Sequence, residues 1–143
     1  MGKRKRLAAE ARKEANKNLY VARLQDNPTS PRKMRIMADV IRGKDVDYAL
    51  SVLKYSKRES AQKLLKLLQS AVANWQVKNE GVRLEDAQLY VKSVVVDGGR
   101  MLKRLRTAPR GMGHRIRKRS NHVTIIIDDK SLVNNNIETQ NAE

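Results

Sequence analysis

Across residues 31–79 the apolar positions recur every three to four residues, and from residue 89 they follow extended patterning. The segment TSPRKMRIMADVIRGK opens the helical part. Met34, Met37, Ala38 and Ile41 lie at i, i+3, i+4 and i+7 on one face. Ser30 is placed as the N-cap, Pro31 at the first helical position and Gly43 as the stop. Val46, Ala49, Leu50 and Leu53 predict a second helix behind an Asp45 cap. A third opens with Ser56 and Glu59 in capping-box spacing and runs to about Asn79, with Gly81 beyond it. Its stripe is Ala61, Leu64, Leu65, Leu68, Val72 and Trp75. Leu67 and Val77 lie off that stripe, which predicts a helix buried on more than one side.

LYVKSVVVD (residues 89–97) and HVTIIID (residues 122–128) are rich in β-branched residues and read as strands. NLYVARLQD (residues 18–26) alternates weakly and is taken as a further strand. Gly98-Gly99 marks a bulge or bend. The expected fold class is α+β: three helices packed on a small three-stranded antiparallel sheet, with a long basic β-hairpin arm. The expected organisation is a basic N-terminal extension over residues 1–17, a single globular domain over 18–128 with its arm at 100–119, and a disordered polar tail over 129–143. The extension is compatible with a helix but carries nothing with which to form a core.

The arm changes the picture most. KRLRTAPRGMGHRIRKR (residues 103–119) holds eight Lys or Arg and no acid, between two strands that ordinarily turn within a few residues. Its extended pattern continues beyond Gly99, with Pro109, Gly111 and Gly113 supplying turn chemistry at the far end. Ten residues per leg make an arm on the order of 30 Å long. An isolated two-stranded hairpin is marginal in water, and this one repels itself. Phosphates around it would remove the repulsion and order its backbone.

Composition agrees. The net charge is +16 and the pI near 10.5, which points to a polyanion, nucleic acid before membrane. Phe is absent, with one Trp and four Tyr, so aromatic platforms for single-stranded bases are scarce. Gripping phosphates and RNA shape is the expected mode. No cysteine is present and no run is apolar enough for a membrane span. The two histidines, His114 and His122, have no carboxylate pair or thiol beside them, so neither a metal site, a cofactor nor an enzyme's active site is expected.

The candidate RNA contacts follow the basic residues. Lys3, Arg4, Lys5 and Arg6 form the N-terminal patch, and Arg32, Lys33, Arg35, Arg42 and Lys44 edge the first helix. Arg100, Lys103, Arg104, Arg106 and Arg110 lie on the outgoing leg and tip, and Arg115, Arg117, Lys118 and Arg119 on the returning leg. His122 follows at the strand start, as a strand-edge residue or an RNA contact. The principal rival is a DNA-bending architectural protein whose basic β-arms enter the minor groove, with Pro109 or Met112 as wedge. An RNA-modifying enzyme or its targeting module is a further rival, without a general base to support it.

SPRKMRIMADVIRGK, LLQSAVANW and LYVKSVVVDGG…LKRLR…RIRKRSNHVTIII together resemble, in order and spacing, the large-subunit ribosomal protein twenty-two family. The most specific matches are Ala38-Asp39 with Ile41-Arg42-Gly43-Lys44, Ser70-Ala71 with Ala73-Asn74, and Arg115-Ile116 with Lys118-Arg119. The resemblance implies a structural constituent of the large ribosomal subunit in the cytoplasm. It would bind large-subunit ribosomal RNA from several domains, support assembly and touch neighbouring large-subunit ribosomal proteins. It also implies that the hairpin threads inward and that its tip forms part of the polypeptide exit tunnel wall, meeting the nascent polypeptide in passing. Carried onto this chain, that tip is Ala108, Pro109, Arg110, Gly111, Met112, Gly113 and His114. No homo-oligomer is expected. Two departures stand out: Gly98-Gly99-Arg100 follows Asp97 where many members have Glu-Gly-Pro, and Gly111-Met112-Gly113 replaces a common Gly-Arg-Ala.

Overall fold

The last of the described strands becomes the middle of the sheet. The computed structural model describes residues 3–17, 19–84 and 87–130. Its elements run α1 (Lys3–Lys17), β1 (Tyr20–Asn27), α2 (Pro31–Ile41), α3 (Val46–Tyr55), α4 (Glu59–Lys78), β2 (Leu89–Thr107), a 3-10 turn (Pro109–Gly111) and β3 (Gly113–Asp129). The sheet order is β1-β3-β2, antiparallel throughout. Val123, Ile125 and Ile127 of β3 alternate inward and are at most 1% exposed, as a central strand with one covered face requires.

Strand β2 keeps its apolar residues inward only by breaking its own period. Leu89 and Val91 are buried, and so are Val94 and Val96, although the two pairs differ in parity. A register shift between Val91 and Ser93 makes the exchange: Val91 pairs with Ile127, Ser93 with Ile126 and Val94 with Ile125. The extra residue at Lys92 is a β-bulge, which swaps the faces of everything beyond it. A second shift, between Gly98 and Met101, lies at the expected Gly98-Gly99 bend.

Helices α2 and α4 cover the inner face, with α3 packed beside α4. Met34, Met37, Ala38 and Ile41 are all buried, as their spacing predicts. Helix α4 buries Ala61, Leu64, Leu67, Leu68, Ala71 and Trp75. Leu67 therefore joins the core from outside the expected stripe, Leu65 and Val72 pack at its margin, and Val77 is exposed. Trp75 meets Tyr20 of β1 edge-on, with centroids 6.3 Å apart.

The helix count exceeds the expectation by one. Helix α1 is Ala-rich, carries an Arg6–Glu10 pair at i, i+4 and is exposed along its described side chains. The expected capping box is also corrected. Ser56 is the C-cap of α3, where its N–H bonds the Val52 carbonyl, and α4 starts at Glu59 with Arg58 as N-cap. Two helices in close series compete for the same residue, and closing α3 leaves Ser56 outside α4. Strand β3 runs on to Asp129, and Lys130 N–H bonds the Gln88 carbonyl. The rest of the expected tail, 131–143, lies outside the described residues.

Both outer edges of the sheet are covered by side chains from the helices. On β2, Arg35 donates from Nε and Nη2 to the Val96 carbonyl (3.3 and 3.0 Å), and Arg42 donates from Nη2 to the Val94 carbonyl (3.0 Å). The α2–α3 loop bonds Val91 on the same edge through the Gly43 N–H and the Lys44 carbonyl, both at 2.9 Å. Gly43 has φ +71°, which makes glycine the fitting residue for this turn. On β1, Asn74 Nδ2 donates to the Val21 carbonyl (3.1 Å) and Lys78 Nζ to that of Leu19 (2.8 Å). Open edges invite pairing with other chains, and these contacts close them.

Candidate nucleic-acid interface

Beyond the second bulge, β2 and β3 leave the helices and continue as a two-stranded arm. Its paired rows run from Met101–Arg119 to Thr107–Gly113. Seven rows at about 3.3 Å per residue put the paired legs on the order of 20 Å beyond the domain. Directly paired residues share a face, which sorts the arm's charges. One face carries Lys103, Arg115, Arg117 and Arg119; the other carries Arg104, Arg106, Lys118 and His114. Lys103 sits directly opposite Arg117, an unfavourable pairing in water. Every side chain from 101 to 107 is exposed, including Leu105 at 77%. The arm therefore has no apolar face to bury and presents cations on both sides.

The root of the arm is built for rigidity. Ser120 Oγ donates to the Arg100 carbonyl across the hairpin (2.6 Å). A Cβ on Gly99 would come within 2.6 Å of that oxygen and 3.3 Å of the Ser120 carbonyl carbon, so the close approach requires glycine. Asn121, fully buried, donates from Nδ2 to the Thr29 carbonyl (2.7 Å) and Thr29 Oγ1 (2.9 Å). Its Oδ1 accepts from Asn27 Nδ2 (3.1 Å). These bonds tie the arm's exit point to the β1–α2 loop.

At the tip, the Ala108 N–H bonds the Met112 carbonyl (2.8 Å) around the 3-10 turn. Both Arg110 (φ +61°) and Gly111 (φ +71°) adopt left-handed backbone. For arginine that conformation costs roughly 1–2 kcal/mol, and nothing in the sequence pattern announces it. Gly113 begins β3 with ordinary backbone. Met112 is 66% exposed at the end of the arm.

The candidate contacts off the arm divide into two groups. Arg32, Lys33 and Lys44 are exposed, as are Lys3, Arg4, Lys5 and Arg6 on α1. Arg35 and Arg42 hold the β2 edge, and Arg42 also pairs with Asp39 (2.7 Å). His122 is half-buried beside the β1 bulge, where its Nδ1 accepts the Asp26 N–H (3.1 Å) and Nε2 lies 3.9 Å from the Asp26 carboxylate. Among the described residues no three His, Asp or Glu side chains gather as metal ligands would. No described helix is long and apolar enough to cross a membrane.

A groove of about 500 Å³ runs along the arm root, lined by Asp26, Pro28, Arg100, Leu102, Arg104, Lys118, Arg119 and Ser120. It brings four arm cations together with two apolar side chains, an arrangement suited to a phosphate backbone and its sugars. Sequence reasoning named the cations; the contribution of the β1–α2 loop had no signal in the local pattern.

Residues 22–128 match the family model described as ribosomal protein L22p/L17e. The chain is 58% identical to the large ribosomal subunit protein uL22 of Flavobacterium psychrophilum over 89% of this chain and 93% of that protein. It is 58% identical to the protein of the same name from Christiangramia forsetii, over 97% of this chain and all of that protein. For Bacteroides fragilis the figure is 57%, over 99% of this chain and the whole relative. The matched segment contains both β2 bulges, the β2-edge clamps and the whole arm, and by that match the chain belongs to the ribosomal protein L22p/L17e family.

Proposed function

We propose that this protein is a structural, non-enzymatic constituent of the large ribosomal subunit in the cytoplasm, where it binds ribosomal RNA. The observation that carries the reading is the arm: a hairpin with cations on both faces and no apolar face, anchored at a rigid root. Surrounding phosphates neutralise the Lys103–Arg117 repulsion that water leaves in place. RNA on both sides is the environment in which such an arm is stable, and assembly is the stage at which it becomes ordered. The family membership favours this over the DNA-bending alternative.

The finer reading concerns the tip. Residues 108–114 line the exit tunnel, with Met112 as the exposed side chain facing the nascent polypeptide. The domain contacts neighbouring ribosomal proteins and acts as a single copy. Residues 100–119 belong to the RNA-embedded part, the N-terminal basic extension adds phosphate contacts, and 18–128 is the folded unit.

The test is co-sedimentation with large subunits through a high-salt wash, using the full chain and a version with residues 101–119 replaced by a short turn. Retention of the full chain and loss or misassembly with the shortened chain are expected. Shortened chains that give ordinary particles with unchanged tunnel chemistry would overturn the arm's assigned role.

A further inference from the structure

Helices α2, α3 and α4 all begin without a side-chain capping bond, and two of them, α2 and α4, begin at one cleft. Neither Ser30 at the start of α2 nor Arg58 at the start of α4 makes a side-chain capping bond. The cleft between them has a volume of about 490 Å³ and is lined by Thr29, Ser30, Lys33, Arg58, Glu59 and Ser60, among others. Ala61 N–H already bonds the Arg58 carbonyl (2.9 Å), which leaves the N–H groups of Glu59 and Ser60 as the uncapped donors of α4.

A second observation, independent of the helix ends, comes from Ser60. It is 5% exposed and lines the cleft, yet its hydroxyl makes no hydrogen bond to the described residues. No buried side-chain polar atom among the described residues lacks a partner, so this hydroxyl is the open tip of an otherwise buried side chain, accessible from the cleft and available to a ligand there. Lys33 and Arg58 add two full positive charges. The one acid, Glu59, is matched by Lys63 at 2.9 Å. Thr29 is fixed in the wall by its two bonds from Asn121.

The geometry points to a phosphate-binding station at this cleft, occupied by a backbone phosphodiester of the RNA that the arm also holds. Paired helix N-termini favour an anion, and the hydroxyls and uncapped N–H groups supply its hydrogen bonds. Pro28 lines both this cleft and the groove at the arm root. One RNA strand leaving Arg100 and Lys118 thus reaches Lys33 and Arg58 by crossing a single residue. This inference rests on the RNA-binding reading above and extends it to residues outside the arm.

The experiment compares three variants of the full chain: Lys33→Gln with Arg58→Gln, Ser60→Ala, and Lys103→Gln with Arg117→Gln on the arm. Affinity for transcribed large-subunit ribosomal RNA is measured across a salt series. The double cleft variant is expected to flatten the log–log salt slope by about 0.7–0.9, the value for one phosphate. In a second readout, inorganic phosphate should raise the wild-type melting temperature relative to chloride at matched ionic strength. That increment should vanish in the double cleft variant and shrink in Ser60→Ala, which keeps both charges. An unchanged slope and an unchanged phosphate increment in the cleft variants overturn the station. If the arm variant still flattens the slope, RNA binding stands without the cleft; if neither does, the RNA-binding reading falls too.

Discussion

Asn27 Nδ2 donates a 3.1 Å hydrogen bond to Asn121 Oδ1, between two side chains buried at the corner where the arm leaves the sheet. Asn121 is paired with Gly98 on one side and Asn27 on the other. Its amide is the crossing point of all three strands and the β1–α2 loop. Every buried side-chain polar atom among the described residues has a partner, so this network is complete as it stands.

Removing it should be costly. Asn121→Ala deletes both bonds to Thr29 and the acceptor for Asn27, leaving buried groups unpaired. A loss of about 2–3 kcal/mol is expected, read by urea unfolding of the free protein. A loss below about 0.5 kcal/mol would mean the network does not hold the corner.

The two neighbouring glycines should behave differently. Gly99→Ala drives a Cβ toward Ser120 Oγ, while a Cβ on Gly98 meets nothing within 4 Å. Gly99→Ala should destabilise by about 1–3 kcal/mol and speed amide exchange at the arm root. Gly98→Ala should leave both near wild type. Equal effects from the two would rule out the close approach as the reason for glycine.

Arg42 separates stability from RNA binding. Arg42→Met removes the donor to Val94 and uncovers the β2 edge, at an expected cost of about 1 kcal/mol for a partly exposed charged hydrogen bond. Arg104→Met, on the arm, should leave the melting temperature unchanged and weaken RNA binding. Melting curves and RNA titrations on the two variants check both halves, and a reversed pattern would reassign Arg42 to the RNA.

The Lys92–Asp128 pair gives a pH signature. The hydrogen bond from Lys92 to Asp128, at 2.7 Å, raises the ammonium above its ordinary 10.5, against the weaker opposing effect of partial burial. A raised value means the folded state holds the proton more tightly than the unfolded chain. Its contribution is complete below 10.5 and disappears as pH rises through the raised value. Solvent screening limits it to a few tenths of a kcal/mol. Wild type and Lys92→Met should therefore differ slightly at neutral pH and converge in strong alkali; a gap that persists there would assign the difference to packing.

The helical stripes were legible because burial on one face writes a 3.6-residue period into the chain, as at Met34, Met37, Ala38 and Ile41. The arm was legible because eight cations without an acid have no structural reason inside a hairpin. The capping box was misread because its residues are shared: Ser56 closes one helix and is thereby unavailable to open the next. The uncapped cleft had no local signal, since Thr29, Lys33, Arg58 and Ser60 come from segments that meet only after α2 and α4 pack.

The sequence by itself determined the class of elements, the basic arm and its Pro/Gly tip, because those follow from local period and charge. Only the tertiary structure decided which residues of β2 face inward, since one bulge at Lys92 exchanges the faces of Val91 and Val94. It also decided that Arg35 and Arg42 hold a strand edge, because a carbonyl becomes an edge only when the strand order β1-β3-β2 leaves it unpaired. Local pattern carries composition and period; partnership between distant segments exists only once the chain has closed on itself.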